Sequence, residues 1–203
     1  MNLALCLTVG RILLSPVFLC VYLFYQEMGI SFVMLPFVLL SVVILAELSD
    51  LLDGIAARRK NEVTELGKIL DPMADSIFRL SFFFALTQGF VKLPLWLVLF
   101  FFYRDSIVSL LRTVCALRGI ALAARISGKI KAAVQGTAAI LVLTLMVPYV
   151  FGMIDLQFFR SVSFYLVLAA AVYTVFSGIE YVVANYQHIK AAFQTGRKTS
   201  EKE

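Results

Sequence analysis

Six apolar runs dominate this sequence, at about 9–26, 32–52, 68–89, 94–117, 131–151 and 160–184. Each approaches the ~20 residues that a membrane-crossing helix needs. Of 203 residues, 61% are hydrophobic and 15% charged, with a mean hydropathy of +0.91. A soluble domain is about half apolar and a quarter charged. The pattern predicts an all-α integral membrane protein of six transmembrane helices, with one six-helix domain over 1–187 and a polar tail over 188–203. Neither an internal repeat nor a low-complexity linker interrupts it. The first run contains Arg11, and no small-residue cleavage site follows it, so it reads as a mature helix kinked at Pro16, not as a signal peptide.

The basic residues set the orientation. With both termini cytoplasmic, that side collects Arg11, Arg58, Arg59, Lys60, Lys68, Arg118, Arg125, Lys129, Lys131, Lys190, Arg197, Lys198 and Lys202, leaving Lys92 and Arg160 outside. The positive-inside rule then predicts a multi-pass protein of the cytoplasmic (inner) membrane. The net charge of +5 becomes a signal of topology and lipid contact. Its carriers flank spans and form no single solvated patch, which argues against nucleic acid as a partner. Cys6, Cys20 and Cys115 lie in apolar surroundings without a pairing motif and read as small hydrophobes.

The stretch Ser49–Asp75, SDLLDGIAARRKNEVTELGKILDPMAD, puts four aspartates at the ends of two apolar runs. Asp50 and Asp53 are three apart and Asp71 and Asp75 four apart, so each pair occupies one helix face. The short connection predicts antiparallel neighbours with the pairs facing each other. Four converging carboxylates repel unless a cation lies among them, and hard oxygen ligands suit Mg²⁺, Mn²⁺ or Ca²⁺ better than zinc. Two divalent ions would balance the charge. A lone aspartate could simply reach water from a helix end, but four at matched spacing beside apolar runs point to function. Gly54, Ala56, Ala57 and Gly67 are small enough to let a phosphate approach the backbone, and equally suited to tight helix packing. Arg58 could reach phosphate oxygens or serve with Arg59 and Lys60 as a topology signal. All these sites would face the cytoplasm.

A second group of charges begins in the fourth run with Arg104, Asp105 and Arg112. Arg104 and Asp105 are adjacent, so at least one is expected to find its partner elsewhere. Arg112 lies two turns beyond Asp105. With Arg118, Arg125, Lys129 and Lys131 they form a cationic wall that suits a ligand carrying phosphate; a choline-like cation would call for aromatics or carboxylates. A topology loop explains Arg118 to Lys131, but not Arg104 and Arg112. Glu180 is expected to pair with a basic residue or shape a pocket, and His188 to be solvated or interfacial. Tyr103, Tyr165, Tyr173 and Tyr181 are expected at membrane interfaces or in a ligand cavity.

The order Asp50-x-x-Asp53-Gly54-x-x-Ala57-Arg58, eight residues, Gly67-x-x-x-Asp71-x-x-x-Asp75 resembles the signature of the CDP-alcohol phosphotransferase family. These are integral membrane enzymes of six spans, usually dimers, that move a phosphatidyl or phospho-alcohol group from a CDP-linked donor to an alcohol. The resemblance implies that Asp50, Asp53, Asp71 and Asp75 hold Mg²⁺ or Mn²⁺, two ions in all, beneath the pyrophosphate. It makes Asp75 the base for the acceptor hydroxyl, and Gly54, Ala57, Arg58 and Gly67 the lining of the nucleotide and phosphate pocket.

Further along, Arg104-Asp105, Leu111-Arg112, Gly119, Gly128-Lys129-Ile130-Lys131 and Gln135 are similar to the bacterial branch that makes phosphatidylglycerophosphate, as is LTVGRILLSPVF with Thr8 and Arg11. Ala4-Leu5 stands where that branch usually has Pro-Asn, and Asp105 where it usually has Glu. The likeness implies CDP-diacylglycerol as donor, CMP as leaving group, a homodimer, and glycerol 3-phosphate bound by Arg104, Arg112, Arg118, Lys129 and Lys131. Other readings stay open: a sister enzyme using inositol phosphate, a CDP-choline or CDP-ethanolamine transferase, or a divalent-cation transporter. Transporters tend to place such ligands near the midplane within repeats, and here the carboxylates gather at one face.

Overall fold

The computed structural model describes the backbone of residues 3–60, 65–120, 122 and 125–194, and side chains within 8–49, 73–120, 122 and 125–192. It comprises α1 (Leu3–Phe24), α2 (Leu35–Lys60), α3 (Glu65–Leu86), α4 (Leu95–Leu117), α5 (Ile126–Val150), α6 (Leu156–Ala184) and α7 (Tyr186–Gln194), with no strand among the described residues. The six apolar runs each become a helix. Boundaries shift where polar residues extend a helix that hydropathy would end. Thus α2 continues to Lys60 through Ala56, Ala57, Arg58 and Arg59, all of them strong helix formers. Helix α5 begins at Ile126 and so carries Ser127, Lys129 and Lys131 in its first turns. Within the polar tail, residues 188–194 belong to α7, which packs on α4 and α6.

The chain runs up and down. Helix α1 packs on α2 and α3, α4 on α6 and α3, and α5 on α6 and α2. Helices α2 and α3, joined through residues 61–64, do not pack on each other among the described residues, because α1 lies against both. Two connections show how local chemistry enforces reversal. At the end of α4, Gly119 adopts φ +72°, and the Ile120 N–H reaches back to the Cys115 carbonyl at 2.9 Å. That is a Schellman stop, in which a side chain at Gly119 would be strained. At the start of α6, the Asp155 carboxylate accepts the Phe158 N–H at 3.1 Å as an N-cap.

Helices α5 and α6 are long and apolar enough to cross a membrane, with mean hydropathies of 1.8 and 1.9. The described apolar stretches of α1 and α2, Thr8–Phe24 and Leu35–Ser49, are shorter. Helices α3 and α4 are interrupted by charges, namely Asp75 and Arg79 in one and Arg104, Asp105 and Arg112 in the other. Outward faces are apolar, as with Ile179 and Val183 of α6 at 61% and 70% exposure, which suits contact with lipid. At the end opposite the aspartate stretch, rings seal the bundle: Tyr149 stacks on Phe159 with centroids 5.0 Å apart, and Phe90 lies 5.8 Å from Tyr149.

Candidate functional site

Asp50 and Asp53 lie on α2, Asp71 and Asp75 on α3. Of these four, only Asp75 has a described side chain; those of Asp50, Asp53 and Asp71 lie outside the described residues, as do Gly54, Ala57, Arg58 and Gly67 as pocket-lining positions. Among the described residues no three His, Cys, Asp or Glu side chains form a metal-holding group.

Asp75 itself is informative. Its carboxylate pairs with the buried Arg11 of α1 and, one turn along α3, with Arg79 at 3.1 Å. Arg11, Ala46, Glu47, Asp75, Phe78 and Arg79 line a cleft of about 10 Å³ between α2 and α3, roughly the space of one water. Residues of α1, α2 and α3 together wall this cleft, with the carboxylates of Asp75 and Glu47 both on it. Hard carboxylate oxygens of this kind fit Mg²⁺ or Mn²⁺. In the same cleft the Arg79 Nε–H is buried without an acceptor, a donor left over for an anionic ligand.

Next to Asp75, Ser76 points the other way. Its hydroxyl donates to Asp105 Oδ2 at 3.0 Å. Asp105 is the centre of the cationic group: Lys131 Nζ donates to its two carboxylate oxygens at 2.8 and 2.9 Å, and Arg104 Nη1 to Oδ1 at 3.1 Å. Adjacent Arg104 and Asp105 thus do pair, because the long arginine side chain folds back on its neighbour. Asp105 also finds the distant partner that was expected. Lys131 is only 5% exposed, and a cation so buried needs this counter-charge. The Arg104 Nε–H, like that of Arg79, is buried without an acceptor.

Helix α6 holds the cation carriers in place with residues that carry no positive charge. A Cβ at Gly178 would stand 2.9 Å from Arg104 Cγ, so glycine lets the arginine stem cross the helix. The Tyr181 hydroxyl accepts the Arg112 Nε–H at 3.2 Å, and the guanidinium carbon lies 5.3 Å from the ring centroid. Tyr181 is 1% exposed, so it is a buried partner of Arg112 and not an interface anchor. Tyr103 and Tyr165 are exposed. Glu180 accepts from Ser127 Oγ at 2.5 Å and pairs with Arg125 at 2.6 Å. It ties down the first turn of α5, whose N-cap Arg125 makes no side-chain cap of its own. Arg118 caps the end of α4 and is exposed, as is Lys129, so these two stand apart from the buried cluster.

Sequence reasoning passed over Arg79, Glu47, Ser76 and Gly178. Arg79 sits four residues after Asp75, the helical ion-pair spacing, and that signal was readable. Glu47 precedes Asp50 by one turn. Ser76 and Gly178 carried no signal, since their importance depends on which helix lies opposite.

This chain belongs to the CDP-alcohol phosphatidyltransferase family, whose pattern it matches over residues 1–176; members of this class are transferases. It is 32% identical over 195 residues to the CDP-diacylglycerol–glycerol-3-phosphate 3-phosphatidyltransferase of Bacillus subtilis, covering 92% of this chain and 96% of that protein. A probable phosphatidylglycerophosphate synthase of Mycobacterium tuberculosis is 32% identical over 196 residues, or 96% of this chain and 86% of its own. A CMP-forming cardiolipin synthase of Streptomyces coelicolor is 44% identical over 69 residues, 34% of this chain and 32% of that protein.

Proposed function

We propose that this chain transfers the phosphatidyl group of CDP-diacylglycerol to glycerol 3-phosphate, giving phosphatidylglycerophosphate and CMP. The observation that carries the reading is the Ser76–Asp105 hydrogen bond of 3.0 Å. Through it, the residue beside the expected base is tied to a buried cluster of Arg104 and Lys131, a cluster suited to an acceptor that carries its own phosphate. The full-length relatives in Bacillus subtilis and Mycobacterium tuberculosis bear names of the same activity.

In this reading Asp75 takes the proton from the acceptor hydroxyl. The hydroxyl oxygen bonds to the phosphorus that carries the diacylglycerol, and the bond from that phosphorus to CMP breaks. A carboxylate can act as such a base at its ordinary pKa if it is well placed. Asp50, Asp53, Asp71 and Asp75 would hold Mg²⁺ or Mn²⁺, which when bound would neutralise the pyrophosphate and the leaving CMP. Arg104, Arg112 and Lys131 orient the acceptor phosphate, with Arg118 and Lys129 drawing it in from solvent; Gly54, Ala57, Arg58 and Gly67 admit the nucleotide. We further propose six spans in the cytoplasmic membrane, a site open to the cytoplasm, and a homodimer.

The test is purified protein in lipid nanodiscs with CDP-diacylglycerol and Mg²⁺ or Mn²⁺, offered glycerol 3-phosphate, inositol phosphate or phosphatidylglycerol. CMP release with glycerol 3-phosphate alone is expected. Release only with inositol phosphate would replace the acceptor. Cardiolipin formed from phosphatidylglycerol would move the chain to the activity named for the Streptomyces relative.

A further inference from the structure

The end of the bundle opposite the aspartates carries little positive charge: among the described residues, Lys92 in the α3–α4 connection and Arg160 near the start of α6 are the Lys and Arg found there. They are 68 residues apart in sequence, yet both line one hollow of about 270 Å³, together with Leu93, Ser161, Phe164 and Tyr165. We propose that this hollow binds the phosphate of an anionic phospholipid headgroup in the leaflet on that side.

Three observations carry the proposal. First, the charges converge. The hollow has two cations, a serine hydroxyl and no carboxylate among its lining residues. That chemistry accepts a phosphate diester, and it offers nothing to the ammonium of a zwitterionic headgroup. Second, Lys92 is the only non-glycine residue with positive φ among those described, at +53°. A glycine would hold that conformation at lower cost. A lysine there keeps an ammonium at the hollow's edge in spite of the backbone. Third, Arg160 is fixed beforehand, since its Nε–H donates to the Phe90 carbonyl at 2.7 Å. Its guanidinium is thus held at the hollow before any ligand arrives.

The surroundings point to lipid, not a free anion. Trp96 packs edge-on against Phe164, centroids 6.2 Å apart, and is exposed in the first turn of α4. An exposed Trp at a helix end marks headgroup depth. Apolar walls beside two cations would take the glycerol backbone and upper acyl carbons as well as the phosphate. The inference rests on the reading of this chain as membrane-spanning, and is independent of which acceptor the transferase uses.

The experiment is native mass spectrometry of the full chain in detergent, titrated with phosphatidylglycerol, with phosphatidylethanolamine or with inorganic phosphate. Lys92→Gly is the decisive variant, because it removes the ammonium while easing the backbone, so the fold survives. A surface cation near anionic lipid contributes about a five-fold change in affinity. Phosphatidylglycerol adducts are therefore expected to fall about five-fold in Lys92→Gly, to recover in Lys92→Arg, and to exceed phosphatidylethanolamine adducts in the parent protein. CMP release by Lys92→Gly should stay unchanged, which separates failure here from failure of the transferase reading. Equal binding of the two lipids, unchanged adducts in Lys92→Gly, or saturation by inorganic phosphate in place of lipid would each overturn the proposal.

Discussion

Ser76 donates its hydroxyl to Asp105 at 3.0 Å, and so connects the α3 turn that carries Asp75 to the α4 turn that carries Arg104 and Asp105. Asp75 and Ser76 are consecutive, so they project to different sides of α3: one toward Arg11 and Arg79, the other toward Asp105, Arg104 and Lys131. If the acceptor hydroxyl meets Asp75 while its phosphate meets the cations, Ser76 sets the distance between them. A hydrogen bond to a charged group contributes roughly 1.5–3 kcal/mol. Ser76→Ala is therefore expected to lower kcat/KM for glycerol 3-phosphate about ten-fold, with CDP-diacylglycerol binding unchanged. Equal losses for both substrates would remove Ser76 from this role.

Asp105 is the counter-charge for two buried cations. Asp105→Ala leaves Lys131 and Arg104 without it, and breaking such a buried pair costs about 3–5 kcal/mol. The expected result is a large fall in the thermal unfolding temperature of the detergent-solubilised protein. The double variant Asp105→Leu, Lys131→Met should regain much of that stability, because apolar replacement of a buried pair is often neutral, yet should not use glycerol 3-phosphate. A double variant that turns over normally would show the pair to be structural only.

Gly178 sits where a methyl group would stand 2.9 Å from Arg104 Cγ. The obstructing atom is near the base of the side chain, so Arg104 cannot swing clear and must leave its rotamer or push α4 outward. Gly178→Ala is expected to cost about 1–3 kcal/mol by overpacking and to raise KM for glycerol 3-phosphate more than KM for CDP-diacylglycerol. Steady-state kinetics with each substrate varied in turn would show it.

The six apolar helices, though not the seventh, and the family were readable from the residues, because spacing and hydropathy report directly on them. The partners on α6 were not. That helix is apolar on nearly every side, so periodicity does not tell which face meets α4, and Tyr181 looked like any other tyrosine of a membrane boundary. Glu180 could be given a basic partner but not a particular one, since Arg125 and Ser127 precede or begin a helix whose start hydropathy misplaced. Hydropathy began the fifth run at 131, discounting Ser127 and Lys129 as polar; the helix starts at Ile126, and Glu180 and Asp105 satisfy its polar first turns.

Arg112 has a neutral partner, the Tyr181 hydroxyl at 3.2 Å, and so retains its full charge for a ligand. Arg112→Ala should raise KM for glycerol 3-phosphate roughly ten-fold or more, the loss of one charge-assisted contact. Tyr181→Phe keeps the ring and the charge but frees the guanidinium to rotate, so its effect on the same constant should be smaller, about three-fold. A larger effect from Tyr181→Phe than from Arg112→Ala would mean that the tyrosine, not the arginine, meets the acceptor.

Asp75 is the expected base, yet Arg11 and Arg79 already engage it. Those two guanidiniums hold the carboxylate in one orientation. Asp75→Asn keeps the shape and the hydrogen-bonding reach while removing the proton acceptor. General-base catalysis contributes about 10²–10⁴-fold, so turnover should fall by that factor while CDP-diacylglycerol binding, measured by isothermal titration in the presence of Mg²⁺, is partly retained. Arg79→Gln makes the complementary test: Arg11 still orients Asp75, and kcat should change far less than in Asp75→Asn. If Arg79→Gln inactivates the protein as fully as Asp75→Asn does, Arg79 itself contacts the reacting phosphate, and the unpartnered Nε–H would be the donor that does so.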